Sequence, residues 1–182
     1  RLLRFHGVSK DAWKRYHRGG AAEYDVVEPG WKFNMLDIQP AIGLRQMEKL
    51  ADFNAARARL AAHYTRLLAD VEELRPLGLA PYPCVHAWHL YIARLKGDAL
   101  KIGRNEFMYE LGQENIGTGL HFPPLHMSSY YRNKYGYEPG DLPNAEKAGS
   151  SILSLPLYPL MTEGDVEDVS AVKRVVAANR RF

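Results

Sequence analysis

A short loop in the second half of the chain carries the residues best suited to polar chemistry. Residues 117–126 read Gly-Thr-Gly-Leu-His-Phe-Pro-Pro-Leu-His and place His121 and His126 on either side of two prolines. Because proline fixes its own backbone, we expect the loop to present its imidazoles rather than to pack them. Both imidazoles are then able to face one cleft. Histidines that fall in a loop by chance are an equally good interpretation of these residues alone.

A lysine ahead of a helix start gives a second candidate. Lys32 and Asn34 closely precede Asp37, a residue type that favours the N-cap of a helix. A lysine in that position can bind a phosphate group that the backbone amides of the helix also attract. A solvated lysine is the more common alternative.

Other catalytic and metal sites find little support in the sequence. It contains no Gly-x-Ser-x-Gly, Gly-x-Gly-x-x-Gly or Walker pattern, hence no nucleophile elbow and no self-contained phosphate cradle. His86 and His89 lie three residues apart on a predicted strand, so they belong to opposite faces and are poorly placed to share a metal ion. We predict no metal site.

Composition is that of an ordinary globular protein. Of 182 residues, 46 % are hydrophobic and 25 % are charged, and the formal charge is +3. The charge is spread out, with no run of about five or six basic residues, which argues against a nucleic-acid surface. A lone Cys84 permits no internal disulfide, so a reducing compartment fits. There is no apolar run of about 18 residues and no signal-like start, and we predict a cytoplasmic protein without a membrane partner.

The elements that must position these residues begin with a long helix. Apolar periodicity predicts it over residues 37–74, starting at Asp37. A straight rod of that length would span roughly 57 Å, so we expect a kink near residues 50–52. The apolar seam from Leu50 to Leu74 predicts packing on the domain's own sheet, with a coiled coil as the alternative. The first turns should be well buried through Leu36, Ile38, Ala41, Ile42 and Leu44.

Shorter elements follow the long helix, and their order is typical of an α+β fold in which helices cover one side of a small sheet. The sequence predicts a proline-rich loop over 76–83, a strand over 86–95, a helix over 104–115 ended by Asn115, a tyrosine-rich loop over 127–142, a helix from Pro143 to about Ser150, a strand over 152–155 and a final helix opened by a capping box at Thr162 and Asp165.

Five ordered segments carry a family resemblance. They are Phe-His-Gly at 5–7 with Asp-Ala-Trp at 11–13, Gly-Trp-Lys-Phe-Asn-Met-Leu-Asp-Ile-Gln at 30–39 with Ala-Ile-Gly-Leu at 41–44, His-Ala-Trp-His-Leu-Tyr at 86–91, the loop at 117–126, and Leu-Ser-Leu-Pro-Leu-Tyr-Pro at 153–159. Together they resemble the C-terminal half of the DegT-type nucleotide-sugar aminotransferases, which depend on pyridoxal phosphate. The nearest branch is that of the aminoarabinose-forming 4-keto-sugar aminotransferases.

The resemblance implies a fold and an activity. The fold is the small C-terminal domain of an aspartate-aminotransferase-like protein, a small antiparallel sheet covered by helices, with a long domain-linking helix. Residues 1–35 would close the large cofactor domain and form the connecting loop, and residues 36–182 would form the linking helix and the small domain. The activity is transfer of an amino group from glutamate to a nucleotide-linked keto-sugar, for polysaccharide biosynthesis, in a homodimer whose active sites lie between subunits.

The resemblance also implies that the covalent chemistry lies elsewhere. In the family, the Schiff-base lysine precedes the Phe-His-Gly segment, and no lysine of this chain stands in a matching context. We therefore expect no catalytic residue in this chain and no activity from the chain alone. Arg1 lies within a pattern typical of a helix end, and we expect a missing N-terminal cofactor domain rather than the trimming of a few tag residues.

Four residues receive binding roles from the resemblance. Lys32, where relatives often have Asn, and Asn34, where many have Arg, are expected to bind the cofactor. His121 matches the family's loop histidine, expected near the sugar or the amino donor, and Arg18 is expected near an anionic group of the substrate. His126 is expected to be structural. The alternative is a non-catalytic module that binds a nucleotide-sugar or assembles with a partner.

Overall fold

The computed structural model describes residues 2–8 and 25–181. These residues belong to two compact units, Arg1–Leu50 and Ala51–Phe182. The division expected from the family resemblance, at residues 35 and 36, lies earlier in the chain and stays a prediction. Arg18 and the segment at 11–13 lie outside the described residues.

The first unit is built on a short antiparallel pairing. Isolated bridges join Phe5 to Lys32 and Val8 to Val26, and the Phe33 amide donates to the Arg4 carbonyl over 2.7 Å. The two segments approach closely where Gly7 meets Gly30, since a Cβ on Gly30 would lie 2.0 Å from the Gly7 nitrogen. Glycine is therefore required at that crossing.

Helix α1, Ile38–Met47, follows directly after Asp37, as predicted. The Asp37 side chain makes no capping hydrogen bond; instead the Leu36 amide donates to Gln39 Oε1 over 2.8 Å. The prediction that the start of this helix is well buried was wrong. None of its residues is buried, and Ile38 and Leu44 are 67 % and 68 % exposed. Periodicity marked the apolar face correctly, but no second layer within this unit's described residues covers it.

Helix α2, Leu50–Leu67, starts after a break at residues 48 and 49, just before the predicted kink. Its inner face packs on the sheet of its own unit, as predicted. The Tyr64 ring stacks on Tyr91 with centroids 4.8 Å apart, and the Tyr64 hydroxyl donates to the Pro156 carbonyl over 2.8 Å. The predicted extension of the helix to residue 74 was wrong, because the chain turns after Leu67 and buries its last apolar residues through a strand.

Three antiparallel strands form the sheet in the order β1, β2, β3. They are Leu74–Pro76, Tyr91–Leu95 and Ile152–Leu155. Strand β1 falls where a loop was predicted to begin. Strand β2 starts five residues later than predicted; Trp88 has a φ of +47°, which is incompatible with extended backbone. The small antiparallel sheet with covering helices confirms the predicted fold class.

Five further α-helices and a short 3₁₀ turn at Leu125–Met127 follow in the described part of this unit, and they bear out several predicted boundaries. Asn115 ends the first in the left-handed region, with φ +60°, and the Thr162 capping box is present. A seven-residue helix lies within the loop predicted over 127–142, whose remainder is irregular, and the final helix is split in two. The helices are α3 (Arg104–Gln113), α4 (Ser129–Tyr135), α5 (Pro143–Ser151), α6 (Glu163–Asp168) and α7 (Ala171–Asn179).

The two faces of the sheet differ in chemistry. Because side chains alternate along a strand, the residues buried under the helices share one face. The opposite face carries Arg75 paired with Arg94, and Ile92 paired with Ser154. The buried face of the sheet comprises Leu74, Tyr91, Ala93, Leu95, Leu153 and Leu155.

None of the helices in the described part of the chain combines the length and the apolar character needed to cross a bilayer.

Candidate functional site

The loop that carries His121 is fastened to the edge of the sheet. After α3 ends, the chain runs beside β3, where Gly119 and Ser154 form an antiparallel bridge. The Gly119 amide donates to the Ser154 carbonyl over 3.0 Å, and the Ser154 amide donates back to the Gly119 carbonyl over 2.8 Å. The loop therefore begins from a fixed backbone position rather than from a free end.

His121 folds back over that bridge. Its Nδ1 shares a hydrogen bond of 2.8 Å with Oγ of Ser154, a side chain that is only 4 % exposed. The imidazole also lies over Gly119, where a Cβ would approach Cε1 to 2.7 Å. Glycine at 119 and serine at 154 thus leave room for the ring and fix one of its nitrogens.

The second ring nitrogen of His121 remains available. In the described part of the chain, Nε2 has no hydrogen-bond partner. Every buried side-chain nitrogen or oxygen there does have a partner. Because His121 is half-buried and its Nε2 has no partner, Nε2 is not a buried atom and reaches solvent. An imidazole held at one nitrogen and open at the other can donate or accept a hydrogen bond, or transfer a proton, at a fixed position.

His126 has a different environment, and the expectation that it is structural fits the geometry. It is 5 % exposed, and its Nε2 lies 3.1 Å from Oε1 of Glu146 on α5. The Glu146 carboxylate also accepts hydrogen bonds from the amides of Gly140 and Leu142. The hydrogen bond from His126, reinforced by these amides, lowers the pKa of Glu146. The pair ties the loop to α5 and is not presented to a ligand.

Lys32 and Asn34 lie in the first unit. Lys32 is exposed, and its Nζ lies 4.6 Å from the centroid of the Phe5 ring, a cation–π contact. Asn34 lines a cleft of about 330 Å³ together with Arg4 and Asp37. The structure thus keeps both residues in one segment at the start of α1, while His121 belongs to the second unit. Their binding roles stay predictions.

The remaining histidines considered for metal binding do not form a site. His86 and His89 precede β2 instead of lying on it, and His86 Nδ1 accepts a hydrogen bond of 2.9 Å from the Trp88 amide. Within residues 2–8 and 25–181, no group of three or more histidine, cysteine, aspartate or glutamate side chains is arranged to hold a metal ion.

Two residues that hold the loop histidines in place were missed by sequence reasoning. Ser154 could have been recognised from the sequence, because it is a polar residue inside a short apolar strand and a buried hydroxyl needs a hydrogen-bond partner. Glu146 offered no such signal, since acidic residues are common on the exposed faces of helices. Both were found only through their histidine partners, 33 and 20 residues away in the sequence.

With this geometry in hand, comparison with known proteins decides the family. A model of the DegT/DnrJ/EryC1/StrS aminotransferase family matches residues 1–173. The chain belongs to this family. Within it, the chain is 44 % identical over 181 residues to the uncharacterized protein MJ1066 of Methanocaldococcus jannaschii, covering 99 % of this chain and 47 % of that protein.

Two further relatives agree with this assignment. The spore coat polysaccharide biosynthesis protein SpsC of Bacillus subtilis is 40 % identical, over 97 % of this chain and 46 % of its own length. Spr1654 of Streptococcus pneumoniae, provisionally assigned as a sugar aminotransferase, was solved in its PMP-form. It superposes with a TM-score of 0.85 and 29 % identity, over 97 % of this chain and 44 % of Spr1654. The chain of this DegT family member therefore spans about half the length of the curated relatives it matches.

Proposed function

We propose that the intact protein is a pyridoxal-phosphate-dependent aminotransferase that moves an amino group from glutamate to a nucleotide-linked keto-sugar. In this proposal the chain supplies the small domain and part of the binding surface. The anchored imidazole of His121, with Nε2 open to solvent, is the observation that carries the proposal, because it places a group able to bind a hydroxyl or move a proton on a rigid support. Family membership supports the reaction class.

The residues of the first unit suit a phosphorylated cofactor. Lys32 and Arg4 are exposed cations on the two paired segments, and Asn34 adds an amide at the cleft beside Arg4. Positive charge and amide donors are the chemistry that binds phosphate. Structures of Spr1654 in PLP- and PMP-forms support pyridoxal phosphate as the cofactor. When bound, that cofactor supplies the electron sink for amino transfer.

In this proposal each residue has a limited task. Lys32 and Asn34 hold the phosphate and so fix the position of the cofactor. His121 orients the keto-sugar or the amino donor through Nε2, and Ser154 keeps the imidazole from rotating. The lysine that attaches the cofactor would come from the remainder of the protein, and the isolated chain would be inactive.

The exposed apolar surface of the first unit supports a larger assembly. Trp31, Phe33 and Met35 are each about two-thirds exposed, at 65 %, 68 % and 65 %, and they lead into the exposed apolar face of α1. Contiguous apolar surface of this kind marks an interaction site. We propose that a cofactor domain and a second subunit cover it in a cytoplasmic homodimer.

Two substitutions in the intact protein test the site. Lys32→Ala should weaken retention of pyridoxal phosphate by about tenfold, the effect of losing one charged hydrogen bond. His121→Ala should lower kcat/KM for the nucleotide keto-sugar by about a hundredfold while the cofactor stays bound. Lys49→Ala and His89→Ala, at exposed positions elsewhere in the chain, serve as matched controls. Unchanged kinetics and cofactor retention in both test variants would remove the assignments.

The second candidate is a non-catalytic module that binds a nucleotide-sugar or assembles with a partner, favoured by the absence of a lysine in a matching context. Visible absorption separates the two. Added pyridoxal phosphate should give a band of lysine-bound cofactor in the intact protein and none in the isolated chain. A band in the isolated chain would contradict the proposal that the attaching lysine lies elsewhere. No band in the intact protein would favour the module.

A further inference from the structure

A basic cleft lies over the outer face of the sheet, at the end where β1 and β2 pair. Its volume is about 540 Å³. Five cationic side chains and one acidic side chain line it, giving a local formal charge of +4, whereas the whole chain carries +3. The positive charge that looked dispersed along the sequence is therefore concentrated in one place by the fold. The charged lining residues are Arg75, Arg94, Lys96, Asp98, Arg104 and Lys147.

The strand register makes this concentration costly for the folded protein. Arg75 and Arg94 are direct cross-strand partners, and like charges directly opposite each other in a sheet destabilise it. The described residues relieve little of this repulsion. Arg75 has Glu72 at 3.6 Å in an exposed pair, and such pairs contribute little. An arrangement that repels itself in the unliganded protein is stabilised when an anion lies between the two guanidinium groups.

The remaining walls of the cleft are compatible with an anion. The carbonyl end of α5 would repel negative charge, but Arg104 donates to the carbonyls of Gly149 and Ile152 over 3.2 and 3.1 Å and neutralises that end. The amino end of α3, capped by Gly103, opens into the same cleft. Lys147, on α5, also lines the cleft. Among the lining residues the one carboxylate is that of Asp98.

We propose that this cleft binds a small polyanion that bears phosphoryl groups, such as a diphosphate. Two arginines can each contact phosphate oxygens in a bidentate manner, and the lysines add compact charge. A cleft of about 540 Å³ falls in the ordinary size range of small-ligand sites, which suits a diphosphate or a nucleoside diphosphate. None of its residues has a role in the proposed aminotransferase site, so the inference does not depend on that function.

Calorimetric titration of the intact protein with inorganic pyrophosphate, at constant ionic strength, tests the proposal. Pyrophosphate should bind saturably and raise the melting temperature. Arg94→Gln and Arg75→Gln should each weaken its affinity by about tenfold or more, while Arg45→Gln, on α1 and paired with Glu48, should leave it unchanged. Lys147→Gln replaces either variant that fails to fold, with the same expectation.

Further arms decide the ligand class and the role of the arginines. Adenosine diphosphate that binds more tightly than pyrophosphate would identify a nucleoside diphosphate, and equal affinity would identify the free anion; either result supports the site. Without ligand, Arg94→Gln should melt no lower than the wild-type protein, because cross-strand repulsion is relieved. A lower ligand-free melting temperature would assign the arginines to the fold and overturn the proposal. Absence of saturable binding, unchanged affinity in both arginine variants, or binding of a single-stranded RNA only would also overturn it.

Discussion

Gly149→Ala should destabilise the protein, although the same change inside a helix normally stabilises it. Gly149 lies in the last turn of α5. A Cβ there would lie 2.4 Å from Cδ and 2.5 Å from Cγ of Pro124. The proline ring is rigid and belongs to the loop that carries His121, so neither partner can yield cheaply. Close contact between α5 and the loop is therefore the feature that the substitution tests.

The magnitude follows from two opposing effects. Alanine gains about 0.5–1 kcal/mol over glycine from backbone entropy in a helix. Overpacking a well-filled contact costs about 1–3 kcal/mol. We expect a net loss of about 1–2 kcal/mol in the free energy of unfolding, which corresponds to a melting temperature lower by about 2–8 °C for a protein of this size.

Gly112→Ala is the matched control, because Gly112 lies in the last turn of α3 and a Cβ there would meet nothing within 4 Å. It should gain about 0.5–1 kcal/mol. Urea denaturation of both variants, followed by far-ultraviolet circular dichroism, measures the two free energies. A stabilising Gly149→Ala would refute the reasoning, since it would mean that the loop does not pack against α5 in solution.

Three further predictions concern single side chains. Thr162→Ala removes the side-chain cap of α6 and should lower the free energy of unfolding by about 1 kcal/mol, while Thr162→Ser should retain most of it, as measured in urea. The hydrogen bond with His126 is the main reason why the pKa of Glu146 is lowered. The ionised Glu146 carboxylate therefore stabilises the fold above its ordinary pKa, and this contribution is lost as pH falls through the lowered pKa. Glu146→Gln should flatten the decline in the free energy of unfolding measured between about pH 5 and pH 2. Burial raises the pKa of Tyr64. The protonated hydroxyl therefore stabilises the fold fully below about pH 10, and this contribution is lost as pH rises further. Tyr64→Phe should cost about 1 kcal/mol at neutral pH for the lost hydroxyl bond, and its free energy of unfolding should fall less steeply than that of the wild-type protein as pH rises above about 10.

Features encoded within a few residues were predictable from the sequence. The helix from Pro143, the strand over 152–155 and the capping box at Thr162 all depend on short-range rules of backbone geometry, periodicity and side-chain capping. Asn115 ends its helix for the same reason, because it tolerates the left-handed conformation that the turn requires.

The errors arose where distant parts of the chain decide the outcome. Val71 and Leu74 continue the helical spacing of α2, but the chain turns after the helix and buries both residues differently. Leu74 opens strand β1, which pairs with residues of β2 about twenty positions later. The apolar start of α1 is exposed because periodicity identifies a face without identifying what covers it. Strand β2 begins late because Trp88 adopts a positive φ that its residue type does not announce.

The site was predictable in part. His121 was identifiable from its loop, but its anchor Ser154 lies 33 residues further along and is brought there by a sheet-edge bridge. The basic cleft was invisible because Arg75 and Arg94 are far apart in sequence and meet only through the register of β1 and β2. Net charge cannot reveal such convergence, since the cleft alone exceeds the charge of the whole chain.

The alternation of side chains along three short strands separates stability from ligand chemistry. Pairs such as Tyr91 with Leu155 place apolar groups under the helices, and a change there acts on unfolding whatever ligand is present. The other face holds Arg94 and Ser154, whose side chains lie outside the apolar core. A register shift of one residue would exchange the two sets. The same pairing that buries the core therefore fixes both the anchor of His121 and the opposed arginines, so effects of Ser154 and Arg94 substitutions should appear in ligand responses before they appear in stability.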